Sequence, residues 1–208
     1  VVLAADGVFS MRPHEHARVK DYLRKDFTKK KVIGISPSSV IEAHHDYDGI
    51  DYSMIMARFI DHLIEERGFN VLIVPHSIRR YTLERKNNDL PVSRKIHDLV
   101  DDKRACILIA DDLSAEELRV IITSCDLFVA SRFHAMVSSL SEGVPTLVCG
   151  WSHKYEEVLR MFGLEGYAFD HEHLSVDEMI SRFDDLLEDE AAVRARLKER
   201  LPEVVVSS

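Results

Sequence analysis

The chain has 208 residues, 46% of them hydrophobic and 30% charged, with a formal net charge of −9. That length suits one sizeable domain with a single main core, and no apolar run approaches the roughly 18 residues that cross a bilayer, so no integral membrane segment is expected. The acidic balance, with no basic stretch interleaved with aromatics, argues against nucleic acid as a partner.

In chain order, Val1–Leu3 reads as the end of a strand and Met11–Thr28 is charged without a sustained period. Residues 1–30 are therefore expected to be the end of an absent N-terminal lobe plus a linker, and residues 31–208 the main domain. The start carries no basic n-region or clear cleavage site, which argues against an intact signal peptide and reads as a cut through a longer protein. Lys29-Lys30-Lys31 reads as a solvated approach to the first strand. From there short apolar runs alternate with stretches of helical period. Strands are predicted at Val32–Ser36, Asn70–Val74, Ala105–Ala110, Leu127–Ala130, Thr146–Cys149 and Tyr167–Phe169. Helices are predicted at Tyr52–Arg67, Pro91–Val100, Ala115–Ser124, Phe133–Glu142, Tyr155–Met161 and, in one long piece, from Val176 to about Arg200. This alternation predicts an α/β fold, a Rossmann-like, mostly parallel sheet with helices on both faces. Gly68, Gly143 and Gly163 stand where helices should stop. In the last helix, acids from Asp184 to Glu190 precede Arg194, Arg196 and Lys198, which suits the helix dipole and reads as a solvated face. Cys106, Cys125 and Cys149 are odd in number, far apart and set in or beside apolar runs, so they read as buried small hydrophobes in a reducing compartment.

In open parallel sheets ligands bind beyond the carboxyl ends of the strands, so the loops there carry the candidate chemistry. The run Cys125-Asp126-Leu127-Phe128-Val129-Ala130-Ser131-Arg132-Phe133-His134 takes a strand straight into a helix. Ser131 is the expected N-cap, with Arg132 and His134 in the first turn. A guanidinium fork, an imidazole and a helix N-terminus then meet at one place, ready for a phosphate or carboxylate with an acid or base alongside. The plainer alternative, Arg132 paired with a neighbouring acid and His134 capping a helix, stays open at this stage. Glu142 could face a ligand hydroxyl or simply solvent. Lys154 follows Gly150-Trp151-Ser152-His153 at a helix start, where a cation opposes the dipole and hints at an anion nearby, whereas His153 reads as a surface residue. Ser36-Pro37-Ser38-Ser39 is a hydroxyl-rich loop that could cradle phosphate, though without P-loop glycines. His76 and Arg79 or Arg80, after the second strand, add possible anion contacts. His44-His45-Asp46-Tyr47-Asp48 lacks ligand spacing in a strand or loop, so no metal is assigned.

Asp126, Ser131-Arg132, His134-Ala135, Gly143-Val144-Pro145 and Lys154, all between Cys125 and Leu164, resemble the C-terminal signature of the polysaccharide pyruvyl transferase family. Upstream, Ile35-Ser36-Pro37 and Val74-Pro75-His76 agree with it. Arg-x-His at the helix start is the discriminating piece, because the Gly-Val-Pro stop also occurs in two-domain glycosyltransferases and sugar epimerases. Phe133 departs from the Leu more usual in the family. The resemblance implies the C-terminal lobe of a GT-B-like enzyme of cell-surface polysaccharide synthesis, cytoplasmic and with peripheral membrane attachment left open. It implies phosphoenolpyruvate as donor, a sugar or polysaccharide precursor as acceptor, a missing N-terminal lobe that helps to hold the acceptor, and no cofactor. His134 would be the catalytic acid that protonates the enol methylene carbon. Arg132, Phe133, Lys154, Ser36, Ser38 and His76 would form the donor-binding or anion-binding set. Two other readings stand beside this one: a GT-B glycosyltransferase lobe that binds a nucleotide sugar, and a non-catalytic homologue.

Overall fold

Six short runs rich in Val, Ile, Leu and Phe make one sheet in the computed structural model, which describes residues 17–23, 27–48, 51–79, 87–150 and 153–206. The strands are β1 (Val32–Ser36), β2 (Asn70–Ile73), β3 (Cys106–Leu108), β4 (Leu127–Ala130), β5 (Thr146–Gly150) and β6 (Ala168–Asp170). All pairings are parallel, in the order β3-β2-β1-β4-β5-β6. In the register Ile35 lies beside Ile73 on one side and Val129 on the other. β1, β2 and β4 are buried along their whole length, as expected for strands covered on both faces. Gly34 in β1 is fixed by packing, because a Cβ there would lie 2.3 Å from Phe128 Cδ2 and 2.8 Å from Cys125 Sγ.

The order reverses between β1 and β4, the switch point of a doubly wound sheet, and right-handed crossovers then place the helices in two layers. α1 (Ser39–Asp48), α2 (Tyr52–Glu65), α3 (Leu90–Leu99) and α7 (Val176–Glu188) pack with one another. α4 (Ala115–Thr123), α5 (Phe133–Ser141), α6 (His153–Phe162) and α8 (Glu190–Val206) form the second group. Their ends follow from local chemistry. Asp51 accepts from the Met54 amide at the start of α2, Ser114 and Glu117 form a capping box on α4, and Ser175 accepts from the Glu178 amide on α7. Gly68, Gly143 and Gly163, the predicted stops, all have positive φ.

Several boundaries differ from those predicted. Ser39–Asp48 is a helix, where the sequence suggests a loop at Ser36–Ser39 and a strand or loop at His44–Asp48: Ser38 caps it, accepting from the amides of Val40 at 3.2 Å and Ile41 at 3.4 Å. β3 is shorter than Ala105–Ala110. The long terminal helix is two helices broken at Asp189, whose carbonyl accepts from Val193 N at 2.9 Å and so begins α8. Nor is its charged face only solvated. Arg196 donates to the Gly163 carbonyl at 2.6 Å and Arg194 to the Gly143 carbonyl at 3.3 Å, so two cations of α8 sit on the carboxyl ends of α6 and α5. Lys31 pairs with Glu190. The three cysteines are free and buried, and burial raises the thiols of Cys106 and Cys149 to about 12. The strand expected at Val1–Leu3 lies outside the described residues, as do Arg80, Trp151 and Ser152.

Candidate active site

The β4–α5 junction sets the site. Arg132, not Ser131, is the N-cap residue, extended at φ −119° and ψ 135°, and its side chain makes no cap hydrogen bond. Ser131 is instead buried, its Oγ accepting from the Tyr52 hydroxyl at 3.3 Å, which takes it away from the helix end. The first helical hydrogen bond runs from Met136 N to Arg132 O at 3.0 Å, so the amides of Phe133, His134 and Ala135 stand ahead of it.

Arg132 does have an acidic partner. Its Nε donates to Asp89 Oδ1 at 3.0 Å and Oδ2 at 2.9 Å, and its Nη2 donates to Ser39 Oγ at 3.0 Å. Asp89 is fully buried at the start of α3 and also accepts from the amides of Ser39 at 3.0 Å and Ser77 at 3.1 Å. One carboxylate therefore ties together the segments that follow β1, β2 and β4. Nη1 of Arg132 makes no hydrogen bond among the described residues and keeps two donors for a ligand. Sequence reading missed Asp89, 43 residues away in the chain; the available signal was an Asp directly before Leu90-Pro91, a helix-start pattern.

A second buried pair closes the other end of α5. Arg119 Nε donates to Glu142 Oε1 at 2.9 Å, with side-chain exposures of 3% and 12%. Glu142 thus neither faces solvent nor presents itself to a ligand.

Between these pairs lies a cavity of about 560 Å³, lined by His76, Arg79, Arg119, Arg132, His134 and Ser138 among others. It opens where the loops after β2, β3 and β4 converge. His134 is exposed in the first turn of α5, and its ring lies 6.3 Å from that of His76, centroid to centroid. Burial holds the His76 imidazole down at about 4, opposed by Asp89 and aided by His134 and Arg132, so it is neutral near pH 7. Its Nδ1 is shut off from solvent with no hydrogen-bond partner among the described residues.

The other sequence candidates lie elsewhere. Ser36 is fully buried beneath the loops, its Oγ without a hydrogen-bond partner among the described residues, and Ser38 is buried as the cap of α1. Lys154 Nζ sits 5.2 Å over the Phe133 ring, which packs T-shaped against Tyr155, on the α6 side of the junction. His44 and His45 are on α1 and pack against the His171 ring. Among the described residues no group of three or more His, Cys, Asp or Glu is placed to hold a metal ion, and no helix is long and apolar enough to cross a membrane.

With that geometry in place, comparison with known proteins decides the family. Residues 1–153 match the polysaccharide pyruvyl transferase family. The chain belongs to that family. The matched range takes in Arg132 and His134, together with Ser36, Ser38 and His76, and ends one residue short of Lys154. The chain is also similar to the amylovoran biosynthesis protein AmsJ of Erwinia amylovora, at 25% identity over 138 residues, 66% of this chain and 32% of that protein. It thus spans about a third of that relative's length. Among solved structures it is similar to the glycosyltransferase SnogD of Streptomyces nogalater, at 15% identity with a TM-score of 0.48, over 94% of this chain and 47% of that one.

Proposed function

We propose that this chain is the donor-binding part of a pyruvyl transferase that moves pyruvate from phosphoenolpyruvate onto a pair of sugar hydroxyls as a cyclic ketal in polysaccharide synthesis. One observation carries the reading: His134, Arg132 and His76 meet in a single cavity at the N-terminus of α5, where the N-cap side chain makes no cap hydrogen bond. Acid, fork and oriented amides at one point suit a small dianionic enol ester.

In this reading His134, as imidazolium, gives its proton to C3 of the donor, and the first sugar hydroxyl forms a bond to C2. That hydroxyl's proton restores His134. The C2–O bond to phosphate then breaks and phosphate leaves with the electron pair, after which the second hydroxyl closes the ketal. Its proton ends on the released phosphate, so two hydroxyl protons become one methyl proton and one phosphate proton. Fixed donors aimed at the changing charge supply most of the stabilisation. The Nη1 donors of Arg132 and the α5 amides hold the donor's anionic ends. His76 enters as a neutral imidazole, while Ser36 and Ser38 act from beneath through the β1–α1 turn. Phe133 and Lys154 form the wall towards α6. Residues 31–208 are the donor lobe, residues 1–30 lead in from a second lobe, and that lobe helps to hold the acceptor.

The test is calorimetric titration with phosphoenolpyruvate, with a nucleotide sugar as control, beside turnover measured on protein that includes the acceptor lobe. Phosphoenolpyruvate should bind to the native chain and to His134→Ala alike, and His134→Ala should abolish transfer, because protonation belongs to the transition state. Binding of the nucleotide sugar alone, or full turnover in His134→Ala, would reject the assignment.

A further inference from the structure

Three arginines line the cavity, and the partners of each decide what charge a ligand meets there. Arg119 is paired with Glu142 and Arg132 with Asp89, so each is half of a neutral, largely buried unit. Arg79 differs. It is exposed, and its guanidinium makes no ion pair among the described residues. Its backbone, in contrast, is held on both sides by one buried amide: Asn88 Oδ1 accepts from Arg79 N at 3.3 Å, and Asn88 Nδ2 donates to Arg79 O at 3.3 Å. Asn88 is 5% exposed. Next to it Asn87, at φ 57°, turns its carbonyl to accept from Ser77 Oγ at 2.7 Å. A positive φ at a residue other than Gly is uncommon, and here it closes the loop that carries Arg79 back onto the start of α3. The anchor is rigid while the charged end is unclaimed.

We infer that Arg79 supplies the uncompensated guanidinium of this cavity and binds the phosphate group of the donor. The inference rests on the reading that the cavity takes phosphoenolpyruvate. Phosphate is the most highly charged group of that donor, and a guanidinium fork matches two of its oxygens at once. His76 is neutral there, and the amides at the start of α5 with Nη1 of Arg132 are left for the singly charged carboxylate. Arg79 is therefore the residue that distinguishes the phosphorylated donor from free pyruvate, which lacks that group.

The deciding experiment titrates the intact chain and Arg79→Ala with three probes: phosphoenolpyruvate, inorganic phosphate and pyruvate. Because the side chain is exposed, Arg79→Ala should keep the native melting temperature. Affinity for phosphoenolpyruvate and for inorganic phosphate should fall at least tenfold, about 1.4 kcal/mol, while affinity for pyruvate changes less than twofold. Native affinity for both phosphate-bearing probes in Arg79→Ala overturns the assignment, as does a loss for pyruvate equal to the loss for phosphate. A native chain that binds inorganic phosphate but not phosphoenolpyruvate rejects the proposed function alone, and the phosphate arm still judges Arg79. A native chain that binds neither rejects both.

Discussion

Asp89→Asn is the substitution whose cost follows most directly from the geometry. The native carboxylate is fully buried, and between them its two oxygens accept from the amides of Ser39 and Ser77 and from Arg132 Nε. Asparagine has nearly the same shape but only one acceptor oxygen; its NH2 group would face an N–H donor whichever way the amide is turned. At least one buried donor is left without an acceptor, at about 1–3 kcal/mol. Arg132, with its side chain 14% exposed, loses its counter-charge, and breaking one side of a buried ion pair costs about 3–5 kcal/mol. The two penalties fall on the same groups and overlap, so the expected loss is about 3–5 kcal/mol of a domain total near 5–15 kcal/mol. Urea denaturation followed by far-ultraviolet circular dichroism should show a midpoint lower by about 2 M at a slope of roughly 2 kcal/mol/M. Asp89→Asn combined with Arg132→Met removes the stranded charge as well, and should be no less stable than Asp89→Asn alone. A single variant within 1 kcal/mol of the native chain, by the scale of ordinary surface changes, would refute the reasoning, and so would a double variant clearly less stable than the single.

His76 gives a pH dependence with a definite sign. Its imidazole is held from the ordinary 6.5 down to about 4, chiefly by burial, so below 6.5 the unfolded chain takes up a proton that the folded protein refuses. Stability should therefore fall as pH drops from about 6.5 to about 4 and level off below, by about 3 kcal/mol in full. His76→Gln should remove that part of the slope in urea titrations run across this window, and identical slopes in the two proteins would contradict the assignment. Gly34→Ala places a methyl 2.3 Å from a buried Phe128 ring carbon, which should cost about 1–3 kcal/mol. Calorimetry should find a lower melting temperature, partly restored by adding Phe128→Leu; an unchanged temperature would mean that β1 and β4 separate more easily than their register implies.

The sheet was legible because its strands are short apolar runs bounded by helical periods, and the three glycine stops were legible because helix ends need a left-handed residue. α1 was not, since Ser39–Asp48 has no apolar stripe beyond Ile41 and its neighbours. It is held by the Ser38 cap and by packing of His45 near Tyr52, and both depend on neighbours in space. The Asp189 break was hidden because a helix period continues through it on both sides. At the site, the rule that ligands sit beyond strand ends pointed to the right loops, and Arg132 and His134 do share a cavity with His76. The rule could not say which hydroxyls would be open. Ser36 and Ser38 stand at the same sheet edge, but the chain turns there at once into α1 and covers them. The ion pairs Arg132–Asp89 and Arg119–Glu142 join residues 43 and 23 positions apart, a separation at which no local pattern links the partners.

Those two pairs also explain how a site rich in arginine can be selective. They sit at opposite ends of α5, one locking its N-cap to the β2 and α1 loops through Asp89, the other locking its C-cap residue to α4 through Arg119. Buried pairs of this kind add little net stability against an apolar replacement of the same size. What they fix is position: α5 can neither slide nor rotate without breaking one of them, and His134 rides on its first turn. In the proposed reaction a proton donor must reach a carbon within a few tenths of an ångström of the productive geometry, and holding the helix at both ends would serve that chemistry more than folding. The consequence for binding is that two of the three lining guanidiniums meet the ligand already neutralised. In the proposed function, affinity for an anion then comes from the α5 amides, Nη1 of Arg132, the protonated His134 and Arg79, the lining arginine without an ion pair among the described residues.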